Sequence, residues 1–301
     1  MNFSNDEEIK LSIVIAAWNG NALLRQCLSS LEEQTDKTQT EVIVISNFQT
    51  DSSEKGFSLP VKLVKISETA TVPELRREGI AIARGKIVAL LEDHCFFDSR
   101  WCEKIKRAHE TSNGVIGGSV ENASVGTALN WAVYFYDYGK YMLPNQAGVT
   151  ETLSGLNVSY KRTALEEVRE VYRNGFYETF VNEELKKRGH RLLMMPTAIV
   201  YHNKNYETKR ATEHCYYLAR SFAARRVAGS SLPKRAFATL AALVLPLLLP
   251  ARIIIATIKK GRHTAQLVRS LPYLILLMFI WSFGEFSGYL SGEGDSAGEW
   301  K

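Results

Sequence analysis

Leu11-Ser-Ile-Val-Ile-Ala-Ala17, stopping abruptly at Trp18-Asn19-Gly20, is the stretch that decides the fold class. It is a short, nearly continuous run of apolar and β-branched side chains, without the polar alternation of a strand that faces water on one side. Such a run suits a strand covered on both faces, as in a parallel sheet. Glu41-Val-Ile-Val-Ile-Ser46, Val61 to Ile66 and Lys86-Ile-Val-Ala-Leu-Leu91 repeat the pattern, at roughly 20–30-residue spacing with helical stretches between. One such stretch runs from Asn21 to Gln34. Another opens at Pro73 and closes at Arg84-Gly85, with proline at the start and glycine at the end as helix termini favour. The first half therefore reads as a Rossmann-like βαβ region, an α/β fold with a mostly parallel sheet.

Further along, the pattern predicts a helix from Ser99 to about Thr111 and a strand from Val115 to Glu121. Trp131 to Tyr141, with Tyr134, Phe135, Tyr136 and Tyr138, reads as an aromatic-rich loop. It serves either as core packing or as an exposed platform or lid for a ligand, since aromatic faces offer broad apolar contact. Short helices follow from Thr163 and Val181, then a strand-like segment from Arg191 to His202. Residues 207–228 are amphipathic, with Ala211, Cys215, Leu218 and Phe222 on one face.

The C-terminal part changes solvent. Ala236 to Ile258 carries a single charge, Arg252, and is long enough to cross a bilayer. Pro246 and Pro250 interrupt it, however, and Lys234-Arg235 and Lys259-Lys260 flank it on both sides. Basic residues prefer the cytoplasmic side, so a re-entrant or interfacial hairpin is favoured over a simple crossing. Leu271 to Leu290 is a second apolar stretch, broken by Glu285 and Gly288, that either spans or lies against the first. The segment from Lys204 to Arg235 holds eight basic residues against Glu207 and Glu213. This basic belt is expected to meet anionic lipid headgroups.

Composition bounds the rest. With 46% hydrophobic and 23% charged residues in 301, the chain can bury a core, and general disorder is excluded. A net charge of +5 is too small to point to nucleic acid. Cys27, Cys95, Cys102 and Cys215 show no paired spacing and read as reduced thiols. The acidic, polar N-terminus is not expected to be a secretory signal. Neither GxGxxG nor GxxxxGK[ST] is present, which disfavours a dinucleotide dehydrogenase and a P-loop NTPase.

In open α/β sheets ligands collect beyond the carboxyl ends of the strands, and those ends carry a recognisable series of motifs. They are Ser12-Ile-Val-Ile-Ala-Ala-Trp-Asn; Glu41-Val-Ile-Val-Ile with a polar loop reaching Asp51; Glu74-Leu-Arg-Arg-Glu-Gly ahead of Ala83-Arg-Gly-Lys; and Leu91-Glu-Asp-His. Ser154-Gly-Leu-Asn-Val-Ser-Tyr-Lys-Arg, Tyr177-Glu with Leu185-Lys-Lys-Arg-Gly-His-Arg, and Ala198-Ile-Val-Tyr-His202 complete it. In this order the chain, from about Leu11 to His202, resembles the family 2 glycosyltransferases with the GT-A fold.

The resemblance implies an inverting transfer from a nucleotide-diphospho-sugar, UDP-linked first of all, with Mn2+ or Mg2+ at the diphosphate. Glu92-Asp93-His94 takes the place of the family's Asp-X-Asp motif. His94 stands at the metal position, Asp93 is the alternative ligand, Glu92 reaches the donor, and His202 completes the metal or diphosphate contact. Glu178 takes the place of the catalytic base, with Tyr177 where an acid would be and Glu183 and Glu184 as local alternatives. Ala16 and Trp18 are expected to line the base pocket and Asn47 to bind the base edge, Ser46 and Asn47 replacing two acids. Arg76 matches a phosphate-contacting arginine, and Gly155 and Asn157 are expected where donor sugar and acceptor meet.

Four segments follow: a GT-A catalytic domain at 1–203, a basic juxtamembrane helix at 204–235, an apolar membrane-associated hairpin or pair of spans at 236–290, and a polar tail at 291–301. The expected location is the cytoplasmic face of the cell membrane, working in cell-envelope glycan synthesis on a lipid or lipid-linked glycan, with no nucleic-acid partner. A degenerate GT-A scaffold is the competing reading. A nucleotidyltransferase is disfavoured because Trp18-Asn19-Gly20 is not a basic, glycine-rich phosphate loop.

Overall fold

The computed structural model describes residues 8–50, 58–111 and 113–299. Asp51, most of the acidic N-terminus and the end of the polar tail lie outside the described residues. The chain forms two compact units, 1–121 with 141–203 and 122–140 with 204–301.

The first unit opens with β1 (Leu11–Ala17), α1 (Asn21–Glu32), β2 (Thr40–Ser46), β3 (Val61–Lys65), α2 (Val72–Ile82) and β4 (Ile87–Glu92). β1 pairs in parallel with β2 and with β4, and β2 with β3. Every residue of β1, β2 and β4 is buried, as the unalternating runs predict. Then come β5 (Cys95–Phe97), α3 (Trp101–Ala108) and β6 (Val115–Asn122). The second unit takes α4 (Ala128–Asp137), after which the first resumes with β7 (Gly148–Thr150), β8 (Val158–Lys161), α5 (Arg162–Glu167), α6 (Glu178–Lys187) and β9 (Leu192–His202). Among the described residues the sheet order is β3-β2-β1-β4-β8-β6-β9-β5, with β7 also on β9. β8 runs antiparallel to β4 and β6, and β5 and β7 antiparallel to β9. The nucleotide-binding half expected from the sequence is the parallel half, and the antiparallel strands extend it.

The Ala83-Arg-Gly-Lys motif does structural work at the amino ends of these strands. Arg84 gives its backbone N–H to Glu41 Oε1 at 2.7 Å, and Gly85 N–H reaches Ser12 Oγ at 2.7 Å. Ser12 in turn donates to Glu41 at 2.6 Å. This buried network ties the end of α2 to β1 and β2.

The second unit is helical: α4, α7 (Thr208–Arg226), α8 (Leu232–Ala242), α9 (Leu245–Lys260), α10 (Thr264–Ser291) and α11 (Ser296–Glu299). The stretch read as an aromatic loop is the helix α4, capped by Thr127, whose hydroxyl accepts the Asn130 N–H at 3.1 Å. Trp131, Tyr134 and Phe135 are buried core residues, so packing rather than an open platform accounts for them. On α7 the buried stripe is Ala211, Cys215, Ala219 and Ala223, not the larger Leu218 and Phe222. Small residues recur there because α10 approaches closely. A Cβ on Gly284 would lie 2.5 Å from the Tyr216 carbonyl oxygen, and one on Gly288 2.3 Å from that of Arg220.

α8 and α9 meet at a 63° bend, the form of a broken span or a re-entrant loop. The break falls at Leu243-Val244; Pro246 sits in the first turn of α9, where its missing N–H costs nothing, and Pro250 lies inside α9 without ending it. α10 is long and apolar enough to cross a membrane. The basic belt is less available to lipid than its composition suggests. Arg220 donates to the Gly292 carbonyl, Arg225 pairs with Glu293, Arg226 with Glu285, and Arg235 donates to the Tyr289 carbonyl. Lys209, Arg210 and Lys234 are the belt's outward charges.

Candidate active site

β1 and β4 end side by side, with Ala16 in register with Glu92. Beyond them the chain turns sharply, and Asp93 closes the turn. Its Oδ2 accepts the backbone N–H groups of Trp18 and Asn19 at 2.9 and 2.7 Å, and its Oδ1 accepts the Asn19 side-chain amide at 2.6 Å. A fully buried carboxylate with three such donors is committed to holding the loop. Asn19, expected only as part of a turn, also lies 3.2 Å from His94 Nδ1. Only its position in Trp-Asn-Gly after β1 could have singled it out.

His94 and His202 come together because β5 pairs with β9. Cys95 opposes His202 in that ladder, and the Asn203 N–H bonds the His94 carbonyl at 2.8 Å. The two rings meet edge to face at 4.9 Å, and Trp18 lies edge-on to His94 at 5.7 Å. Glu92 Oε2 stands 3.6 Å from His94 Nε2. Trp18 is half-buried at the rim, whereas Ala16 is wholly buried in β1, so Ala16 does not line an open base pocket.

The second cluster centres on Arg76, which α2 carries into the interior. Glu74 accepts the Thr71 N–H at 2.7 Å, fixing the first turn of that helix. Arg76 Nη2 reaches Glu92 Oε1 at 2.6 Å and the Gly155 carbonyl at 3.3 Å, while Nη1 reaches Glu178 Oε2 at 2.9 Å. Glu178 is the first residue of α6. It is brought here because the Phe176 N–H bonds the Pro73 carbonyl at 2.8 Å, pinning the loop before α6 to the start of α2. Gly155 is needed at the junction, since a Cβ there would lie 2.8 Å from Glu178 Cδ and 2.9 Å from Arg76 Nη2. Arg76, expected as a phosphate contact, thus bridges two carboxylates and orients Glu178. The Glu178 side chain is 21% exposed, within reach of a ligand.

Two tyrosines border this cluster and were not anticipated. Tyr160 donates to Asn182 Oδ1 at 2.9 Å, and burial, then the Glu178 charge, pushes its phenol well above the ordinary range. Tyr141 donates to Thr152 at 3.4 Å, and burial pushes it up to about 12, with the Glu178 charge adding to the effect. Both are neutral at any physiological pH. The thiols nearby are inert as well. Burial, then the Glu92 charge, raises Cys95, and burial, then the Asp93 charge, raises Cys27.

Other expected residues have different duties. Asn157 donates to the Ser119 and Ala198 carbonyls, both at 2.9 Å, and accepts Trp101 Nε1 at 3.0 Å. It is a fully buried stitch across β6, β9 and α3, not a sugar contact. Asn47 is half-buried, its amide donating to the Ala70 carbonyl at 3.2 Å. Ser46 donates to the Phe48 carbonyl at 2.9 Å. Glu183 and Glu184 form surface pairs with Lys186 and Arg188.

Among the described residues, no three His, Cys, Asp or Glu side chains are placed to hold a metal ion. Asp93 holds its loop and the His94 and His202 rings meet edge to face, so the expected set of His94, Asp93 and His202 does not form a preformed cage among the described residues.

The family model described as glycosyl transferase family 2 matches residues 12–169, more than half of the chain. The chain belongs to that family. Among curated relatives, EpsH of Bacillus subtilis (strain 168), described as a glycosyltransferase, is 25% identical over 137 residues, 44% of this chain and 36% of that protein. Polypeptide N-acetylgalactosaminyltransferase 12 of Mus musculus is 29% identical over 146 residues, 45% of this chain and 24% of that one. The chain therefore spans about a third and a quarter of these relatives. The mannosyltransferase PcManGT from Pyrobaculum calidifontis, solved with GDP-Man and Mn2+, superposes with a TM-score of 0.54 at 17% identity, over 96% of this chain and 86% of that one. S. aureus TarS 1–349 with UDP-GlcNAc gives 0.53 at 15% identity, over 95% and 91%. At these identities the likeness is one of fold, and the fold is GT-A.

Proposed function

We propose that this chain transfers a sugar from a nucleotide-diphospho-sugar to an acceptor hydroxyl with inversion, Glu178 acting as the base. The observation that carries the reading is the Arg76 bridge, which places Glu178 and Glu92 in one cluster at the carboxyl ends of the strands. Arg76 holds Glu178 Oε2, leaving Oε1 to take the acceptor proton. As that proton moves, the acceptor oxygen bonds the anomeric carbon from one face, and the bond to the diphosphate breaks on the other. One positioned carboxylate suffices for such a displacement. The nucleotides bound by PcManGT and TarS support a nucleotide-sugar donor, UDP-linked or GDP-linked.

The acceptor is proposed to be a lipid or lipid-linked glycan, with the protein attached to the cytoplasmic membrane face by its C-terminal helices. Exposed Leu240, Leu247, Leu248, Ile255, Ile258, Phe279 and Phe283 on α8, α9 and α10 support the attachment.

A second reading, a GT-A scaffold without catalysis, is favoured by the commitment of Asp93 to its loop and by Ser46-Asn47 in place of acids. Thermal stabilisation of the detergent-purified chain by UDP, GDP and dTDP separates the two. A nucleotide at 100 times its Kd adds about 2.7 kcal/mol, and the transferase reading expects this from at least one. Stabilisation by none would favour the scaffold.

A further inference from the structure

We propose that the pocket between α4, α9 and α10 is a binding site for an anionic lipid, a phosphate headgroup on hydrocarbon chains. The pocket has a volume of about 660 Å3 and lies wholly within the helical unit. Phe135 from α4, Leu249 and Ile253 from α9, and Met278 and Trp281 from α10 give it apolar walls. Its charged groups are Lys140, Arg226, Arg252 and Lys260 against Asp137 and Glu285, a surplus of two positive charges.

Arg226 and Glu285 answer each other at 2.7 Å, and Trp281 Nε1 donates to the same carboxylate at 2.8 Å. The remaining charged groups of the lining are Lys140, Arg252 and Lys260 with Asp137, a net charge of +2. Lys260 Nζ donates to the Lys140 carbonyl at 3.1 Å, which brings its ammonium to the backbone that follows α4. Arg252 interrupts an otherwise apolar stretch of α9 and is exposed. An apolar pocket edged by cations complements an anion carried on a chain better than a free anion or a neutral hydrocarbon.

The Tyr136 side chain also lines the pocket. The helices that wall the pocket also carry exposed Leu248, Ile255, Ile275 and Phe279, surfaces suited to meeting hydrocarbon. The site is argued for binding alone, whatever acceptor the active site uses.

The test uses the full chain in neutral-detergent micelles, with phosphatidic acid or phosphatidylcholine bearing the same brominated acyl chains. Quenching of Trp281 is isolated by subtracting Trp281→Phe. Phosphatidic acid should quench at about 30-fold lower mole fraction, the preference expected of two basic side chains near a lipid headgroup. Arg252→Gln/Lys260→Gln should abolish that preference, Lys209→Gln/Lys234→Gln off the pocket should keep it, and Ala256→Phe, filling the pocket, should reduce quenching by both lipids. Native mass spectrometry of lipid-bound wild type and the first double variant reads the same preference should Trp281→Phe fail to fold. Equal response to the two lipids would overturn the proposal. So would a preference that survives Arg252→Gln/Lys260→Gln, one lost equally in the off-pocket variant, or one abolished by millimolar inorganic phosphate.

Discussion

Replacing Arg76 by methionine keeps the volume of its stem and removes the charge that joins the two carboxylates. In the native protein the Arg76 side chain is 6% exposed and Glu92 10%, with 2.6 Å between them. Glu178, at 2.9 Å and 21% exposed, is closer to water and contributes less. Removing one partner of a buried ion pair costs about 3–5 kcal/mol, because the remaining charge stays buried without compensation. For a unit of this size that is a fall of about 6–20 °C in Tm. Arg76→Met/Glu92→Leu removes the stranded carboxylate with its partner, and the double variant should recover about 2 kcal/mol relative to the sum of the single losses. Urea unfolding of the full chain in detergent, followed by circular dichroism, measures all three variants. An Arg76→Met stability within about 1 kcal/mol of wild type would refute the bridge as a buried, paired element. Strict additivity in the cycle would refute the pairing with Glu92.

Gly155→Ala should lower activity and cost about 1–3 kcal/mol of stability, because the new methyl group would meet Glu178 Cδ at 2.8 Å; wild-type kinetics in this variant would count against the packed junction. His109 is buried against Ser159, and burial, then Lys161, lowers its imidazole to about 4. Its folded value lies below the unfolded 6.5, so the unfolded chain takes up the proton first. Stability should be full above pH 6.5 and fall by roughly 3 kcal/mol as pH drops toward 4, a slope that His109→Gln should flatten in pH-dependent urea unfolding. Mn2+ or Mg2+ alone, without nucleotide, should leave Tm unchanged. A rise with either ion by itself would indicate a preformed cage that the placement of Asp93 argues against.

The parallel half of the sheet was legible because burial on both faces writes itself into unbroken apolar runs such as Val42–Ile45. The ends of β1 and β4 led to Trp18, Glu92 and His94 because ligands in such sheets collect beyond the carboxyl ends of the strands. Resemblance to the family added Arg76, Gly155 and Glu178, which the structure brings into contact. What stayed hidden were duties assigned by distant segments. Asp93 is claimed by the β1 loop, and Asn157 by Trp101, Ser119 and Ala198, none of which is near in sequence. α4 escaped notice as a helix because it is buried on nearly every side, which erases the polar face that marks a helical period. Pro250 read as a breaker, yet α9 runs through it.

The central claim is that Glu178 is the base of a sugar transfer, and release of nucleoside diphosphate tests it most directly. The full chain would be incubated with UDP-, GDP- and dTDP-sugars and a membrane lipid extract, alongside Glu178→Gln. The account predicts release from at least one donor. It also predicts a fall of about 10²–10⁴ in the variant, with nucleotide stabilisation of the variant unchanged. Turnover by Glu178→Gln at the wild-type rate would contradict it, and so would no release from any donor.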